Sequence, residues 1–165
     1  MSDDAPGYEN PTTIDTPPPA VLAWLDGTDL EEKVGTAVGI VTADADGWPR
    51  PAQLSAGEIL LSSDGGVRLL LHGESGTAAN LRRDGRMVMM LAADGANDEL
   101  RFEVTEAAPL EDPPRATFVG RLVSAREHRV PYAEVTDGVR YRLHDPDAVL
   151  DRWRRQIEAL RGLDA

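Results

Sequence analysis

The spacing of apolar and polar residues changes several times along this chain, and each change marks an element. Residues 1–18 hold Gly7, Asn10-Pro11 and the start of the run Pro17-Pro18-Pro19 but little apolar area. Such a stretch cannot offset its own ordering entropy, so it is expected to be disordered or loosely attached. A helix is expected next. Pro18 and Pro19 suit its start, Val21, Leu22 and Leu25 recur on one face beside Trp24, and Asp26-Gly27 ends it. A short helical turn is expected over Asp29–Lys33. From Val34 to Ala43 the residues are small or β-branched, the signature of a buried strand. Asp44-Ala45-Asp46-Gly47 reads as a hairpin turn, and a second extended stretch runs from Pro49 to about Ser62, with Gly57 as a bulge or bend. Asp64-Gly65-Gly66 turns the chain into a third strand, Val67–His72.

One helix interrupts the strands. Ser75 suits its N-cap, residues 77–83 are helix-compatible, and Asp84-Gly85 stops it. Arg86–Ala92 is a strand carrying Met87, Met89 and Met90, read as core and interface packing. After a turn at Asp94–Asn97, Leu100, Phe102 and Val104 alternate with Arg101, Glu103 and Thr105, as in a half-exposed strand. Glu111-Asp112-Pro113-Pro114 is a loop, Thr117–Glu127 a further strand, and 139–143 a short additional one. The last helix, 146–161, has Asp145 as N-cap and Pro146 in its first position, with Val149, Leu150, Trp153, Ile157 and Leu160 on one stripe. Short antiparallel strands joined by glycine turns imply a barrel or sandwich rather than a doubly wound sheet. The expected organisation is an N-terminal segment 1–18 followed by one domain, 19–165.

Composition narrows the function classes. Seventeen basic against 29 acidic residues give a net charge of −12, a field that repels nucleic acid and anionic lipid. No apolar run approaches the ~20 residues that span a bilayer. The acidic start, Met1-Ser2-Asp3-Asp4, lacks the apolar region of a secretory signal, so the expected location is cytoplasmic, with neither nucleic acid nor membrane as partner. The chain has no cysteine, which removes disulfides, thiol catalysis and thiolate metal sites. Lys33 is its one lysine.

Three stretches then carry a resemblance. Val38-Gly39-Ile40-Val41-Thr42 followed by Asp46-Gly47-Trp48-Pro49-Arg50-Pro51 resembles the opening hairpin of the pyridoxamine 5′-phosphate oxidase-like split barrels. Val67–Arg86 is similar to that family's strand, phosphate loop, Asn-Leu on the helix and following turn, and Gly120-Arg121-Leu122-Val123 to a later strand. The resemblance covers roughly residues 20–130. It implies a mainly β fold, an antiparallel split β-barrel with a short helix between strands and flanking N- and C-terminal helices. It also implies a homodimer with FMN between the subunits, the ring near Leu70, Leu71 and His72 and the phosphate near Ser75, Gly76 and Thr77. Some members of the family use a deazaflavin or haem, for which His72 is a candidate ligand.

The chain departs from the family where the phosphate should sit. Flavin-binding members commonly place Arg and Lys at the positions of Gly76 and Thr77. Neutral hydroxyl and amide donors bind a phosphate more weakly than charge-assisted ones. Arg50, Arg68, Arg82 and Arg83 are candidates to supply the missing charge. Nothing else in the chain nominates chemistry. Gly73-Glu74-Ser75-Gly76 lacks the final glycine of a nucleophile elbow, no phosphate-binding glycine motif occurs, and the run His144–Asp147 reads as a helix start rather than a metal site. No catalytic acid or base can be named. Two functions are expected: an FMN-dependent oxidoreductase of a small substrate, or a split barrel that has lost flavin and acts as a small-molecule-binding or interaction protein.

Overall fold

A computed structural model describes residues 10–111 and 114–165 of the chain. The order of elements is β1 (Thr13–Ile14), α1 (Pro19–Leu25), β2 (Val38–Ala43), β3 (Pro49–Leu54), β4 (Ile59–Leu61), β5 (Gly66–Leu71), α2 (Gly76–Asp84), β6 (Arg86–Ala93), β7 (Ala96–Glu111), β8 (Pro114–His128) and α3 (Pro146–Arg161). The strands form one antiparallel sheet in the order β3-β2-β6-β7-β8-β5-β4, with β1 added to β8. The sheet curls without closing. Its two edge strands, β3 and β4, are consecutive in the chain, and the short 3₁₀ turn Ala56–Glu58 crosses the split between them. This is the expected antiparallel split barrel, with α2 between strands and α1 and α3 flanking it.

Local sequence accounts for the joints. Ser75 Oγ accepts the Ala78 amide at 3.1 Å at the start of α2, and Asp145 caps α3 through the Ala148 amide at 3.2 Å. Asp94 and Gly95 both adopt positive φ, 47° and 75°, so β6 and β7 are joined by a two-residue hairpin tighter than the expected Asp94–Asn97 turn. The run Val67-Arg68-Leu69-Leu70-Leu71 does not alternate in polarity because both faces of β5 are covered. Val67, Leu69 and Leu71 enter the barrel core with Val21, Leu25, Phe102 and Phe118. Leu70 faces the other way, into a smaller core with Trp153, Ile157 and Leu160 of α3.

Four expectations change. The stretch 49–62 is not one strand, since the 3₁₀ turn divides it. Gly57 lies in that turn and not at a bulge: a β-carbon there would sit 2.0 Å from Trp153 Cγ, so the glycine makes room for the indole. Residues 139–143 form no strand; a single bridge, Thr36 to Arg140, ties them to the chain before β2. The N-terminal segment 1–18 is held at its far end. Thr13 and Ile14 pair with Arg126 and Ala125, Ile14 packs on the barrel core, and Pro17 and Pro18 are buried. Residues 1–9 lie outside the described residues.

Candidate functional site

The residues singled out by sequence meet at the junction of β5 and α2, but they do not share one surface. Leu70 and Leu71 are buried, 1% and 4% exposed, one in each core. His72 leaves the strand exposed, and its carbonyl accepts the Ser75 amide at 2.9 Å. Ser75 Oγ and carbonyl take the amides of Ala78 and Ala79. The amides of Gly76 and Thr77 have no hydrogen-bond partner among the described residues and lie at the positive end of the α2 dipole. Nothing lies within 4 Å of where a Gly76 β-carbon would stand, so the helix start is open. Two free amides and the Ser75 and Thr77 hydroxyls can therefore meet one anion there.

The charge around this loop is already committed. Arg82 returns from the last turn of α2 to donate to Gly73 O at 2.7 Å and to both carboxylate oxygens of Glu106, at 2.6 and 2.8 Å. Glu106 is held below its usual carboxylate range by that guanidinium. Arg83 bonds Asn80 Oδ1 and the Ala43 carbonyl. Arg68 reaches the other way, to Leu163 O at 2.6 Å. Arg50 is exposed on edge strand β3. Lys33 is buried and far from the loop; its ammonium donates to Ala23 O, Thr28 O and Asp26, locking the end of α1. Among the described residues, the site offers a phosphate neutral donors and no ready cation.

Sequence reasoning missed a second feature. The outer face of the sheet carries a groove of ≈ 400 Å³ lined by Val41, Val88, Val123, Arg86, Arg101 and Glu103. Met90, 40% exposed, and Val123, 53% exposed, stand on the same side of the strands. The signal was present at every second position of β6: Arg86, Val88, Met90 and Ala92 point outward, and three of the four are apolar. Met87 and Met89 do enter the core, as expected. Among the described residues, no group of three His, Cys, Asp or Glu is placed to hold a metal ion, and no helix is long and apolar enough to cross a membrane.

An open antiparallel barrel whose fifth and sixth strands are joined by a capped helix defines a split-barrel fold. A solved structure repeats the architecture. HupZ of Group A Streptococcus aligns at 12% identity over 66% of this chain and 94% of its own, with a TM-score of 0.50. An FMN-binding protein from Syntrophomonas wolfei aligns at 18% identity over 67% of this chain and 88% of its own, with a TM-score of 0.46. At 12% identity the likeness to HupZ is one of fold. No family model matches the chain. It is, however, 38% identical over 139 residues to the uncharacterized protein YclD of Bacillus subtilis (strain 168), spanning 83% of this chain and 90% of YclD, and it belongs to the same family as YclD.

Proposed function

We propose that this protein is a homodimeric split-barrel flavoprotein that transfers hydride or electrons to or from a small substrate. The observation that carries the reading is the open start of α2, where two unpartnered amides and two hydroxyls converge beside an exposed histidine. Ser75, Gly76 and Thr77 would hold the phosphate of FMN or a related deazaflavin, and His72 would stand at the ring end. The cofactor supplies the redox chemistry when bound; the protein holds and orients it. The apolar outer face at Val41, Val88, Met90 and Val123 is the surface on which two copies would meet, because single exposed apolar residues need no explanation but a contiguous set does.

The engagement of Arg82 by Glu106 favours a second reading, a split barrel of the same fold without flavin. An absorption spectrum of the purified protein, followed by FMN titration watched through flavin fluorescence, separates them. The flavoprotein reading expects flavin bands or saturable quenching, with Thr77→Lys tightening binding about tenfold by adding the charge-assisted partner. A colourless protein that ignores FMN, FAD and deazaflavin supports the second reading. A Soret band would move the cofactor to haem and His72 to its ligand.

A further inference from the structure

Strands β7 and β8 continue as a two-stranded hairpin beyond the last pairs of β6 and β5, at Glu103 and Ala116. A bulge aims the end of this hairpin at α3. Ala107 pairs with Thr117 and Leu110 with Arg115, so Ala108 and Pro109 together face Ala116 alone. Thr117 Oγ1 donates to the Ala108 carbonyl at 2.7 Å and fixes the bulge. Thr117 lies opposite Leu70 of the α3-side core, so Arg115, two residues away on the same strand, points to that side too. Leu110 packs against that core. On the helix, Arg152, Arg155, Gln156 and Ala159 stand at i, i+3, i+4 and i+7 and share one face. Hairpin and helix enclose a pocket of ≈ 90 Å³, lined by these four residues and by Leu110, Glu111 and Arg115.

Three of the lining side chains carry guanidinium groups, and among the described residues none of them pairs with a carboxylate. Arg115 donates to the Pro114 carbonyl at 2.8 Å. Arg155 is exposed, and Arg152 is half-buried with its Nε enclosed. The carboxylates beside them on the helix are engaged by other arginines, Asp151 by Arg154 at 2.9 Å and Glu158 by Arg161 at 3.4 Å. Glu111 is the one acid in the lining, so the pocket holds three positive groups against one negative. Like charges gathered in a concave space repel one another and focus their field there. The net charge of −12 opposes an anion at long range, but the screening length at physiological salt is ~8 Å, so the groups inside the pocket decide what enters.

We propose that this pocket binds a phosphate dianion, free or at the end of a small molecule, through Arg115 and Arg155 with Arg152 behind them. The pocket is several-fold smaller than the ~300 Å³ at which sites for whole organic ligands begin, so it takes the anionic group and leaves the rest of a ligand outside. Guanidinium groups match such oxygens through paired N–H donors. A dianion balances the excess of positive charge in the lining, three against one, whereas a carboxylate balances half of it. Residues 70–77 take no part, so the assignment stands apart from the flavin reading.

Titration with inorganic phosphate, followed in ¹H–¹⁵N spectra at constant ionic strength, tests the proposal, because this pocket and the start of α2 report through different amides. Phosphate should shift the amides of Arg115 and of residues 152–156 saturably, and acetate should bind about tenfold more weakly. Phenyl phosphate separates the sources: tighter binding than inorganic phosphate supports an esterified ligand, and equal or weaker binding supports the free ion. Arg115→Gln and Arg155→Gln should each weaken phosphate about tenfold, through loss of one charge-assisted contact. Arg155 is exposed, so its replacement leaves the fold intact. Arg154→Gln lies on the same helix, and the side chain it removes is held by Glu31 and Asp151 outside the pocket, so phosphate should bind it as it binds the parent. Shifts confined to Gly76 and Thr77 overturn the proposal, since the phosphate would then sit at α2. So do an absence of saturable shifts, unchanged affinity in both pocket variants, or an equal loss in Arg154→Gln, which would mean attraction to surface charge alone.

Discussion

The two cores on either side of β5 settle their polar atoms differently. Inside the barrel, Asn80 donates to Thr42 Oγ1 at 2.9 Å, and among the described residues only Asp98 Oδ1 on that side is left unmatched. On the α3 side, the Tyr141 hydroxyl, Arg152 Nε and Gln156 Oε1 all lack partners. The barrel is built from backbone ladders, which fix every strand and bring side chains to defined places. Helix α3 leans on the sheet through Trp153, Ile157 and Leu160, with the Arg68 bond to Leu163 O as a clamp near its end. Packing by side chains alone tolerates gaps that a ladder would close. The lesson is that in this fold the pairing of buried polar atoms follows the backbone ladders.

The sharpest way to break that comparison is Trp153→Ala. The indole is 1% exposed and fills the space that Gly57 leaves free. Its loss should destabilise the protein by about 3–5 kcal/mol, read from urea unfolding. Hydrogen exchange should show where the loss falls. If the cores are separate, amides of α3 exchange faster while those of β6 and β7 keep their protection. Equal acceleration in both would mean one cooperative unit and would remove the distinction drawn here.

Asp98 tests the barrel side. It shares the inward face of β7 with Leu100, Phe102 and Val104, and is 1% exposed. Burial, with the charge of Glu127 added and those of Arg129 and His128 opposing, pushes its carboxyl from 3.8 up to about 6. The fold therefore holds this proton more tightly than the unfolded chain does. Stability from this residue is complete below pH 3.8 and falls as pH rises to about 6, beyond which the ionised group is a constant burden. The span corresponds to about 3 kcal/mol at most. Asp98→Asn should remove that slope, so its stability gain over the parent should grow between pH 4 and 6 and level off by pH 8. A gain that does not change with pH would mean that Asp98 is not the buried acid.

Much of the barrel was legible because its signals are local. Ser75 and Asp145 cap the helices expected of them, and the turns at Asp44–Gly47 and Asp64–Gly66 fall where glycine allows positive φ. What escaped depends on partners far along the chain. Gly57 reads as a bend, yet the reason for a glycine there is an indole from the last helix. Thr13-Ile14 is too short to signal a strand, and it is held only because β8 offers an edge and the core receives Ile14. The helix-start residues of the candidate site were visible from capping rules, whereas Leu70 and Leu71 could not be told from surface-lining residues until both faces of β5 were seen to be covered. The pocket beside α3 has no local pattern, because Leu110, Arg115 and Arg155 come from three separate elements.

The smallest expected effect bears on the site that sequence did find. Arg82 lies beside the open start of α2, yet Glu106 and Gly73 O hold it. The pair is exposed, with side chains 40% and 38% accessible, so breaking it should disturb the fold little. Glu106→Gln removes a negative charge near the phosphate position and releases the guanidinium to turn toward it. FMN should then bind about fivefold more tightly, measured by fluorescence quenching. Adding Arg82→Gln decides how. If the gain disappears, Arg82 supplies the charge that Gly76 and Thr77 lack, and the chain carries a latent phosphate clamp. If the gain persists, relief of repulsion explains it and Arg82 has no part in binding. If Glu106→Gln changes nothing, the charge beside the start of α2 does not govern FMN affinity, and Gly73 O alone is enough to keep Arg82 where it is.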